Sequence, residues 1–298
     1  MSTFRLAHLS DPHLTPPASA LRGGGLSKRV LSRFAWRRKR HRHNPAILQA
    51  IAADMLAARP DHIAVTGDLT NFSTPEEFDA AARWLEGLGE PRDITVSPGN
   101  HDALVARGAP TNFGPWRRWL GDDPDGDFPH LRVRGPVAII NACSAMPTGP
   151  HLATGALGAA QLEHLARLLV ETGEQRLFRV LLVHHPVAAG AVSKRKSLTD
   201  AAALRELLAA RGAELVLHGH AHEALMNRIA GPAGPIPTLG VPSASTPPGF
   251  HDPPARWNLI EIAPGADGFA GGFRVRIEAR GVQDGAAVTA LGAFSLAA

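Results

Sequence analysis

The chain has 298 residues, of which 44% are hydrophobic and 19% are charged, a composition typical of a globular protein with a substantial core. Its single cysteine, Cys143, excludes a disulfide framework and a cysteine-rich zinc site, and we expect this thiol to be buried and inert. No apolar run approaches the roughly 20 residues of a membrane span and no signal-peptide pattern is visible, so the sequence predicts a cytoplasmic protein.

The formal charge of +4 is concentrated in one segment. Between Pro12 and Ala53 there is no Asp or Glu, but there are nine Lys or Arg residues. Without these nine, the chain has 22 basic against 27 acidic residues, a net charge of −5. The basic character therefore belongs to this segment and not to the rest of the fold.

The first half of the chain alternates strands and helices. A strand is predicted at 4–9, followed by a short basic amphipathic helix in which Leu26, Val30 and Phe34 recur every four residues. Asn44 caps the next helix, which has proline at its first position. These patterns predict a basic helical insertion, at about residues 15–43, between the first strand and the first regular helix.

The middle of the chain continues this alternation. Strands are predicted at 62–66 and 94–96, and a capping box at 74–77 starts the helix between them. The stretch 109–129 is rich in loop residues, and we expect Trp116 and Trp119 within it to pack on the core.

The second half contains more strands than helices. Strands are predicted within 133–142 and at 178–183 and 215–217, with helices at 161–170 and 199–211; the segments 238–241, 257–262 and 273–278 alternate like antiparallel strands. Neither an internal repeat nor a domain boundary is visible. The sequence therefore predicts one α/β domain, residues 1–298, with stacked sheets covered by helices.

Five of the predicted strands end in residue types that bind metal ions. These residues are Asp11 and His13, Asp68, Asn100 and His101, His184 and His185, and His220 and His222. Because ligands of α/β proteins bind at the carboxyl ends of the strands, we expect the five loops to converge on one site.

The spacing within these loops supports ligation. Asp11 and His13 are two residues apart on a segment predicted to be extended, so both side chains should project to the same side, as should His220 and His222. Small residues in the same loops should allow close approach of backbone and metal, namely Gly67, Gly99 and Gly219.

The number and type of these side chains indicate two metal ions. A ligand set of two aspartates, one asparagine and four of these six histidines is too large for one four-coordinate ion, but it suits two ions that share a carboxylate. Oxygen and imidazole ligands without thiolate favour Mn²⁺, Fe²⁺/Fe³⁺ or Zn²⁺. Such a centre can clamp a phosphoryl group and generate a bridging hydroxide for attack on phosphorus.

In this order the motifs resemble the calcineurin-like metallophosphoesterase superfamily, over about residues 4–245. The runs 9–14 (Leu-Ser-Asp-Pro-His-Leu) and 240–245 (Gly-Val-Pro-Ser-Ala-Ser) are similar to the bacterial cyclic-nucleotide phosphodiesterase-like branch. The runs 67–71 and 99–102 differ from the Gly-Asp-x-Val-Asp-Arg-Gly and Gly-Asn-His-Glu motifs of protein Ser/Thr phosphatases. The resemblance therefore points away from phosphoprotein substrates.

The resemblance implies a four-layer αββα sandwich, in which helices flank two mixed β-sheets and a dinuclear metal site lies at the strand carboxyl ends. It implies that one ion is held by Asp11, His13 and His222, that the other is held by Asn100, His184 and His220, and that Asp68 bridges them. It assigns His101 to transition-state stabilisation and protonation of the leaving oxygen. Asp102 is expected to orient its loop or His101, and His185 to have a supporting position.

The function implied is hydrolysis of a phosphodiester. Three alternatives stay open: a phosphomonoesterase, a phosphodiesterase that uses the basic insertion to act on lipid or nucleic acid, and a non-catalytic binding scaffold. The insertion fits a polyanionic substrate, an anionic membrane surface or nucleic acid, but also a solvated helix or a homodimer contact. His41 and His43 lie in an arginine-rich run and are therefore poor cation ligands. No obligate protein partner is evident.

Overall fold

A computed structural model describes residues 3–22, 28–105, 111–123, 125–269 and 272–296. The glycine run 23–25 and Leu26, the first residue of the predicted amphipathic pattern, lie outside the described residues. Within those ranges, no helix combines the length and the apolar composition needed to cross a bilayer.

The described chain forms two six-stranded sheets. In chain order the strands are β1 (Phe4–Leu9), β2 (His62–Val65), β3 (Ile94–Val96), β4 (His130–Arg134), β5 (Val137–Asn141), β6 (Phe178–Leu182), β7 (Leu215–His218), β8 (Met226–Ile229), β9 (Ile236–Gly240), β10 (Arg256–Phe269), β11 (Phe273–Val282) and β12 (Val288–Leu296). The first sheet has the order β12-β11-β10-β1-β2-β3, and the second has the order β4-β5-β6-β7-β9-β8.

Both sheets are mixed. In the first, β1, β2 and β3 are parallel, whereas β10, β11 and β12 continue the sheet with antiparallel pairings. In the second, β5, β6, β7 and β9 are parallel, and β4 and β8 are antiparallel strands at the two edges. The strand predicted at 238–241 is β9, so the antiparallel prediction holds for its pairing with β8 but is wrong for its pairing with β7.

The helices in the described ranges are α1 (Lys28–Lys39), α2 (Pro45–Ala57), α3 (Pro75–Glu86), α4 (Arg117–Leu120), α5 (Ala159–Glu174) and α6 (Ala201–Arg211). The predicted caps start two of them. The side chain of Asn44 accepts a hydrogen bond from the backbone N–H of Ala46, and Thr74 and Glu77 form the reciprocal capping box of α3.

Three apolar layers hold the sandwich together. Leu6, Val180 and Leu217 belong to the layer between the two sheets, which contains side chains of both sheets. On the outer face of the first sheet, Ile51 of α2 and Phe78 of α3 pack against strand residues. Alternate residues of a strand point to opposite faces, so each central strand is buried on both sides.

The outer face of the second sheet is covered in the same way. Leu165 of α5 and Leu204 of α6 pack against Leu181 and Val216 of the sheet. The predicted four-layer αββα sandwich is therefore confirmed. Trp116 and Trp119 are fully buried, as predicted, and Cys143 is also buried.

Candidate active site

The loops after five parallel strands meet at one edge of the sandwich. Three follow β1, β2 and β3 of the first sheet, and two follow β6 and β7 of the second. Backbone hydrogen bonds join neighbouring loops: the N–H of His13 donates to the carbonyl of Asp68 at 3.0 Å, and that of Gly219 donates to the carbonyl of His184 at 3.1 Å. The convergence expected from strand ends is present.

The backbone at this edge is not extended. Five of the predicted ligands have a positive φ, namely Asp11 (51°), His13 (41°), Asp68 (56°), His220 (65°) and His222 (58°). The expectation that the Asp11–His13 and His220–His222 pairs share a side because their segments are extended is therefore wrong. Left-handed backbone costs free energy for a residue with a side chain, so the surrounding contacts must hold these positions.

All three predicted glycines make room for ligand side chains; a Cβ at Gly67 would lie 2.6 Å from Nδ1 of His184. A Cβ at Gly99 would overlap the carboxylate and backbone of Asp68, and one at Gly219 would overlap the side chains of Ser10 and Asp11. The space predicted at these glycines is therefore taken by neighbouring protein atoms that position the two aspartates.

The predicted ligands form two compact groups. In the first group, ligand atoms of Asp11, His13 and His222 all lie within 4.8 Å of one another, and Nε2 of His222 is 3.2 Å from Oδ1 of Asp11. The second group consists of Asp68, His184 and His220 at the same spacing, and Oδ1 of Asn100 lies 3.1 Å from Nε2 of His184.

Asp68 belongs to the second group and also faces the first. Its Oδ2 atom is 3.8 Å from Nε2 of His13 in the first group and 3.5 Å from Nε2 of His184 in the second. A single carboxylate thus faces histidines of both groups, as a ligand shared by two ions would.

The donor atoms suit metal binding. Nδ1 of His184 lies 2.6 Å from the carbonyl of Thr66, so Nδ1–H donates there and Nε2 is the ring nitrogen that faces Asp68 and Asn100. Nε2 of His220 is buried and has no hydrogen-bond partner in the described chain, although buried polar atoms are normally satisfied. In each ring Nε2 is thus the atom that would bind a metal ion, after losing any proton it carries.

The charges of the site are tightly balanced. Burial would raise the pKa of Asp11, but the facing His222 imidazole holds it well below its usual range. Burial would lower the pKa of His184, whereas the carboxylates of Asp68 and Asp11 raise it to about 9. A positive charge on a histidine thus pairs with the aspartates, and a bound metal cation would take its place.

His101 is oriented by two backbone contacts. Its backbone N–H donates to Oδ1 of Asp68 at 2.7 Å, and its Nδ1 lies 3.0 Å from the carbonyl of Asn71. The ring is perpendicular to that of His13, with 5.0 Å between ring centroids. Nδ1 is thereby assigned as the donor to the carbonyl of Asn71.

Asp102 holds the surrounding loops together. Its carboxylate accepts backbone N–H bonds from Asp68 at 2.9 Å, Thr70 at 2.8 Å and Gly99 at 2.9 Å. The prediction that Asp102 orients its loop is confirmed, because these bonds join the loops after β2 and β3.

His185 has a supporting position. Its Nδ1 lies 2.7 Å from Oγ of Ser144 and its Nε2 lies 3.2 Å from the carbonyl of Ala153, so both ring nitrogens have protein partners. It packs against His220 with 4.4 Å between ring centroids.

With this geometry established, the chain can be compared with known proteins. A family model described as calcineurin-like phosphoesterase matches residues 4–224. The chain belongs to the calcineurin-like phosphoesterase family. It is therefore a hydrolytic enzyme acting on phosphoesters, as the strand-end motifs indicate.

Individual relatives agree with this family. A probable cyclic nucleotide phosphodiesterase of Synechococcus sp. is 28% identical over 266 residues, which cover 88% of this chain and 89% of that protein. A dimetal phosphatase from Danio rerio matches 97% of this chain and 98% of its own, with a TM-score of 0.59 and 13% identity. A purple acid phosphatase from yellow lupin also aligns with a TM-score of 0.59 and 13% identity; the alignment covers 99% of this chain and 53% of the lupin chain. At these identities the solved structures support the fold.

Residues of the basic segment form part of the wall of the candidate site. A cavity of about 340 Å³ is lined by five of the seven candidate ligands, namely His13, Asp68, Asn100, His220 and His222, and by residues of the basic segment, among them Trp36, Lys39, Arg42 and His43. Helix α1 is anchored to the sandwich because Arg29 Nε donates to the carbonyl of Phe72 at 2.9 Å. The predicted basic helix is thus present beside the metal-binding edge, although none of its side chains is buried.

His43 is a site residue that the sequence reasoning missed. Its ring centroid is 4.4 Å from that of His13, and its Nδ1 lies 2.8 Å from Oγ of Ser245. Burial, and then the facing His222 and His101, lower the pKa of His43 to about 3. The available sequence signal was its position next to the cap residue Asn44. In the structure the backbone N–H of Asn44 donates to the carbonyl of Ser245, which fixes this end of the basic segment against the site. His41 packs on Phe250 instead, with 5.4 Å between ring centroids.

Proposed function

We propose that this phosphoesterase is a phosphodiesterase that works with two metal ions. The observation that carries the proposal is that Asp68, a member of the second group of ligand atoms, also faces the first. Asp11, His13 and His222 would hold one ion, Asn100, His184 and His220 the other, and Asp68 would bridge them. When bound, the ions would supply an activated water for attack on phosphorus and neutralise the phosphoryl oxygens.

The donor set limits the choice of metal. Carboxylate, amide and imidazole groups without thiolate favour Mn²⁺, Fe²⁺/Fe³⁺ or Zn²⁺. The unpartnered Nε2 of His220 supports ligation, since an imidazole nitrogen buried at this position otherwise loses its hydrogen bond with water.

His101 is proposed as the catalytic residue that contacts substrate. Its Nδ1–H is taken up by Asn71, so the protonated ring would donate from Nε2 to a phosphoryl oxygen and then to the departing alkoxide. The hydrogen bond from its backbone to Asp68 would keep this donor at a fixed position relative to the ions.

A diester is favoured over a monoester as the substrate. The Synechococcus relative carries the name of a probable cyclic nucleotide phosphodiesterase, and the match covers most of both chains. The cavity, with a volume of about 340 Å³, also has room beyond one phosphoryl group. The non-catalytic scaffold is disfavoured, since all seven ligand positions hold competent side chains.

The remaining proposals concern the whole chain. Shared apolar layers support a single domain, with the insertion at about 15–43 as a cover for the site. The exposed cations of the insertion suit a polyanion or an anionic membrane surface. The cytoplasmic location and a homodimer stay predictions.

The test is metal analysis combined with a substrate panel. The protein is loaded with Mn²⁺ and assayed on cyclic mononucleotides, dinucleotides, glycerophosphodiesters, an aryl phosphodiester and the matching aryl phosphomonoester. We expect about two ions per chain, loss of activity with a chelator, and a higher kcat/KM for the diester of the aryl pair. A higher kcat/KM for the monoester would contradict the phosphodiesterase proposal.

A further inference from the structure

The cavity of about 340 Å³ at the candidate ligands is called the metal-binding cavity below. A second cavity continues from it. It has a volume of about 590 Å³ and lies between α1 and the segments 150–153 and 193–196. Six residues line both spaces, namely Ala35, Lys39, Asn100, His101, Ala153 and Lys196. A molecule at the candidate metal ligands can therefore extend into this groove, which we call the α1 groove.

Apolar side chains line the α1 groove and are open to solvent. Leu31 is 52% exposed, Phe34 is 57% exposed and Leu152 is 41% exposed, and Leu104 lies below them. Such a cluster of large apolar side chains on one surface indicates a binding site. Since α1 buries none of its own side chains, packing of the core does not explain why Leu31 and Phe34 are apolar.

The groove is anchored on both sides. Nζ of Lys28 donates to the carbonyl of Leu152 at 2.9 Å, which joins the start of α1 to the opposite wall. Arg29 and Trp36 join the helix to Phe72, by a hydrogen bond to its carbonyl and by ring packing at 6.1 Å. The apolar cluster therefore belongs to a formed groove.

Cations surround the apolar cluster. The guanidinium of Arg38 lies 4.3 Å from the centre of the Phe34 ring, and Lys39, Arg195 and Lys196 continue toward the metal-binding cavity. The described residues that line the groove include no Asp or Glu. The groove thus combines an apolar wall with a positive rim next to the place where a phosphate would bind.

We propose that the α1 groove binds the long apolar chain of an amphiphilic phosphodiester whose phosphate occupies the metal-binding cavity. This inference rests on the proposed phosphodiesterase function. Hydrolysis adds water across one ester linkage: a new oxygen–phosphorus bond forms, the bond from phosphorus to one arm breaks, and the oxygen of that arm takes a proton. The products are an alcohol and a phosphomonoester.

Another apolar cavity provides a matched control. It has a volume of about 640 Å³, lies between α2 and α3, and is lined by Leu48, Leu56, Trp84 and Leu88. It reaches the metal-binding cavity at His13 and His43, but Arg83 is the only Lys or Arg among its described lining residues. Leu56 is 36% exposed, so it can be made polar without opening the core.

The first measurement compares two phosphodiesters that differ only in chain length. Both carry a nitrophenyl arm; the second arm is methyl in one and dodecyl in the other, at concentrations below micelle formation and with Mn²⁺. We expect kcat/KM for the dodecyl ester to exceed that for the methyl ester by on the order of tenfold to a hundredfold, because of a lower KM.

Variants test where the dodecyl arm binds. The triple variant Leu31→Gln, Phe34→Gln, Leu152→Gln should lose the preference for the dodecyl ester and keep its activity on the methyl ester, whereas Leu56→Gln should keep both. Glutamine preserves helix propensity at the exposed positions of α1. A preference that survives the triple variant, or that disappears in Leu56→Gln, overturns the proposal, and so does equal kcat/KM for the two esters in the natural sequence.

Binding of a dodecyl phosphonate, measured by calorimetry, separates the two proposals. No turnover of either ester would refute the phosphodiesterase function, but the groove would still predict at least about tenfold weaker phosphonate binding in the triple variant. Equal binding by the triple variant refutes the groove. A change from dimer to monomer in that variant, without a change in phosphonate binding, would instead identify the face as a contact between copies.

Discussion

The backbone N–H of His101 donates a hydrogen bond to Oδ1 of Asp68 at 2.7 Å. This bond joins the candidate catalytic residue to the candidate shared ligand. The other oxygen of Asp68 faces histidines of both ligand groups, so one carboxylate fixes the distance between ligand positions and proton donor. A change at Asp68 should therefore affect metal binding and catalysis together, whereas a change of the His101 ring should affect catalysis alone.

We expect Asp68→Asn to lose metal and activity. The amide has no negative charge and a single acceptor oxygen, so it cannot serve both ligand groups and His101. Metal content by elemental analysis and turnover of an aryl phosphodiester measure the two effects. Asp79→Asn, on an exposed position of α3, is the matched control and should resemble the natural sequence. A fully loaded and active Asp68→Asn enzyme would disprove the bridging position.

We expect His101→Ala to lower kcat by on the order of 10²–10³ while the metal content is unchanged. The substitution removes the ring and leaves the backbone N–H that holds Asp68. The 96%-exposed side chain of His251 offers a control, because His251→Ala removes a solvent-exposed ring that faces only its neighbour Asp252 among the described ion pairs. Full turnover by His101→Ala would refute its catalytic role, and loss of metal would indicate a structural one.

His62 should make stability depend on pH. Its Nε2 bonds to Oγ1 of Thr95 at 2.8 Å, and burial, followed by Arg132 and Arg134, lowers its pKa to about 3. The unfolded chain, with an ordinary pKa near 6.5, binds a proton at acid pH that the folded chain does not. The stabilisation that comes from burying neutral His62 is therefore fully present above pH ~6.5. It is lost as the pH falls towards ~3, because protons then favour the unfolded chain.

The variant His62→Gln keeps a side chain that can bond to Thr95 but does not titrate. Urea unfolding at pH 7 and pH 5 should show a weaker pH dependence in this variant, by about 1 kcal/mol per pH unit below pH ~6. Parallel losses of stability in the variant and the natural sequence would show that His62 is not responsible.

The cations of the insertion should control binding to anionic surfaces. Arg37 and Arg40 are exposed, and neither lines the metal-binding cavity or the α1 groove. Arg37→Gln with Arg40→Gln should weaken sedimentation with phosphatidylserine vesicles by tenfold or more at low salt, and by less at high salt, since each surface cation contributes about 1 kcal/mol. The control pair Arg167→Gln and Arg211→Gln changes the net charge equally elsewhere.

Unchanged vesicle binding in the Arg37 and Arg40 variant would mean that the insertion is a solvated face. Stronger binding to an oligonucleotide than to vesicles at both salt concentrations, lost in the same variant, would favour nucleic acid as the polyanion.

Local sequence signals predicted most of the strands and helices, although not β8 or β12, and predicted the loops that carry the candidate ligands. The capping residues Asn44 and Thr74 mark helix starts by hydrogen bonds to their own backbone neighbourhood. The candidate ligands follow apolar strands, and parallel strands bring their carboxyl ends to one edge whatever the details of packing.

Other features depend on contacts that are distant in sequence. Neighbouring loops hold the left-handed backbone at Asp11 and His220. Sequence periodicity contains no information about these contacts, and it therefore predicted extended segments. His43 reaches the site because the start of α2 is bonded to Ser245, 201 residues beyond Asn44. Strand β9 joins β7 in parallel because β8 turns back at the sheet edge, a pairing that alternation alone does not specify.

The two ligand groups draw on both sheets, from Asp11 after β1 to His222 after β7. Any ion bound between them would contact segments that meet only when the whole sandwich has assembled. Metal binding would thus be linked to global folding, and added metal should raise the unfolding temperature of the entire chain by mass action. Loss of metal would correspondingly make both sheets easier to unfold, including strands that contribute no ligand.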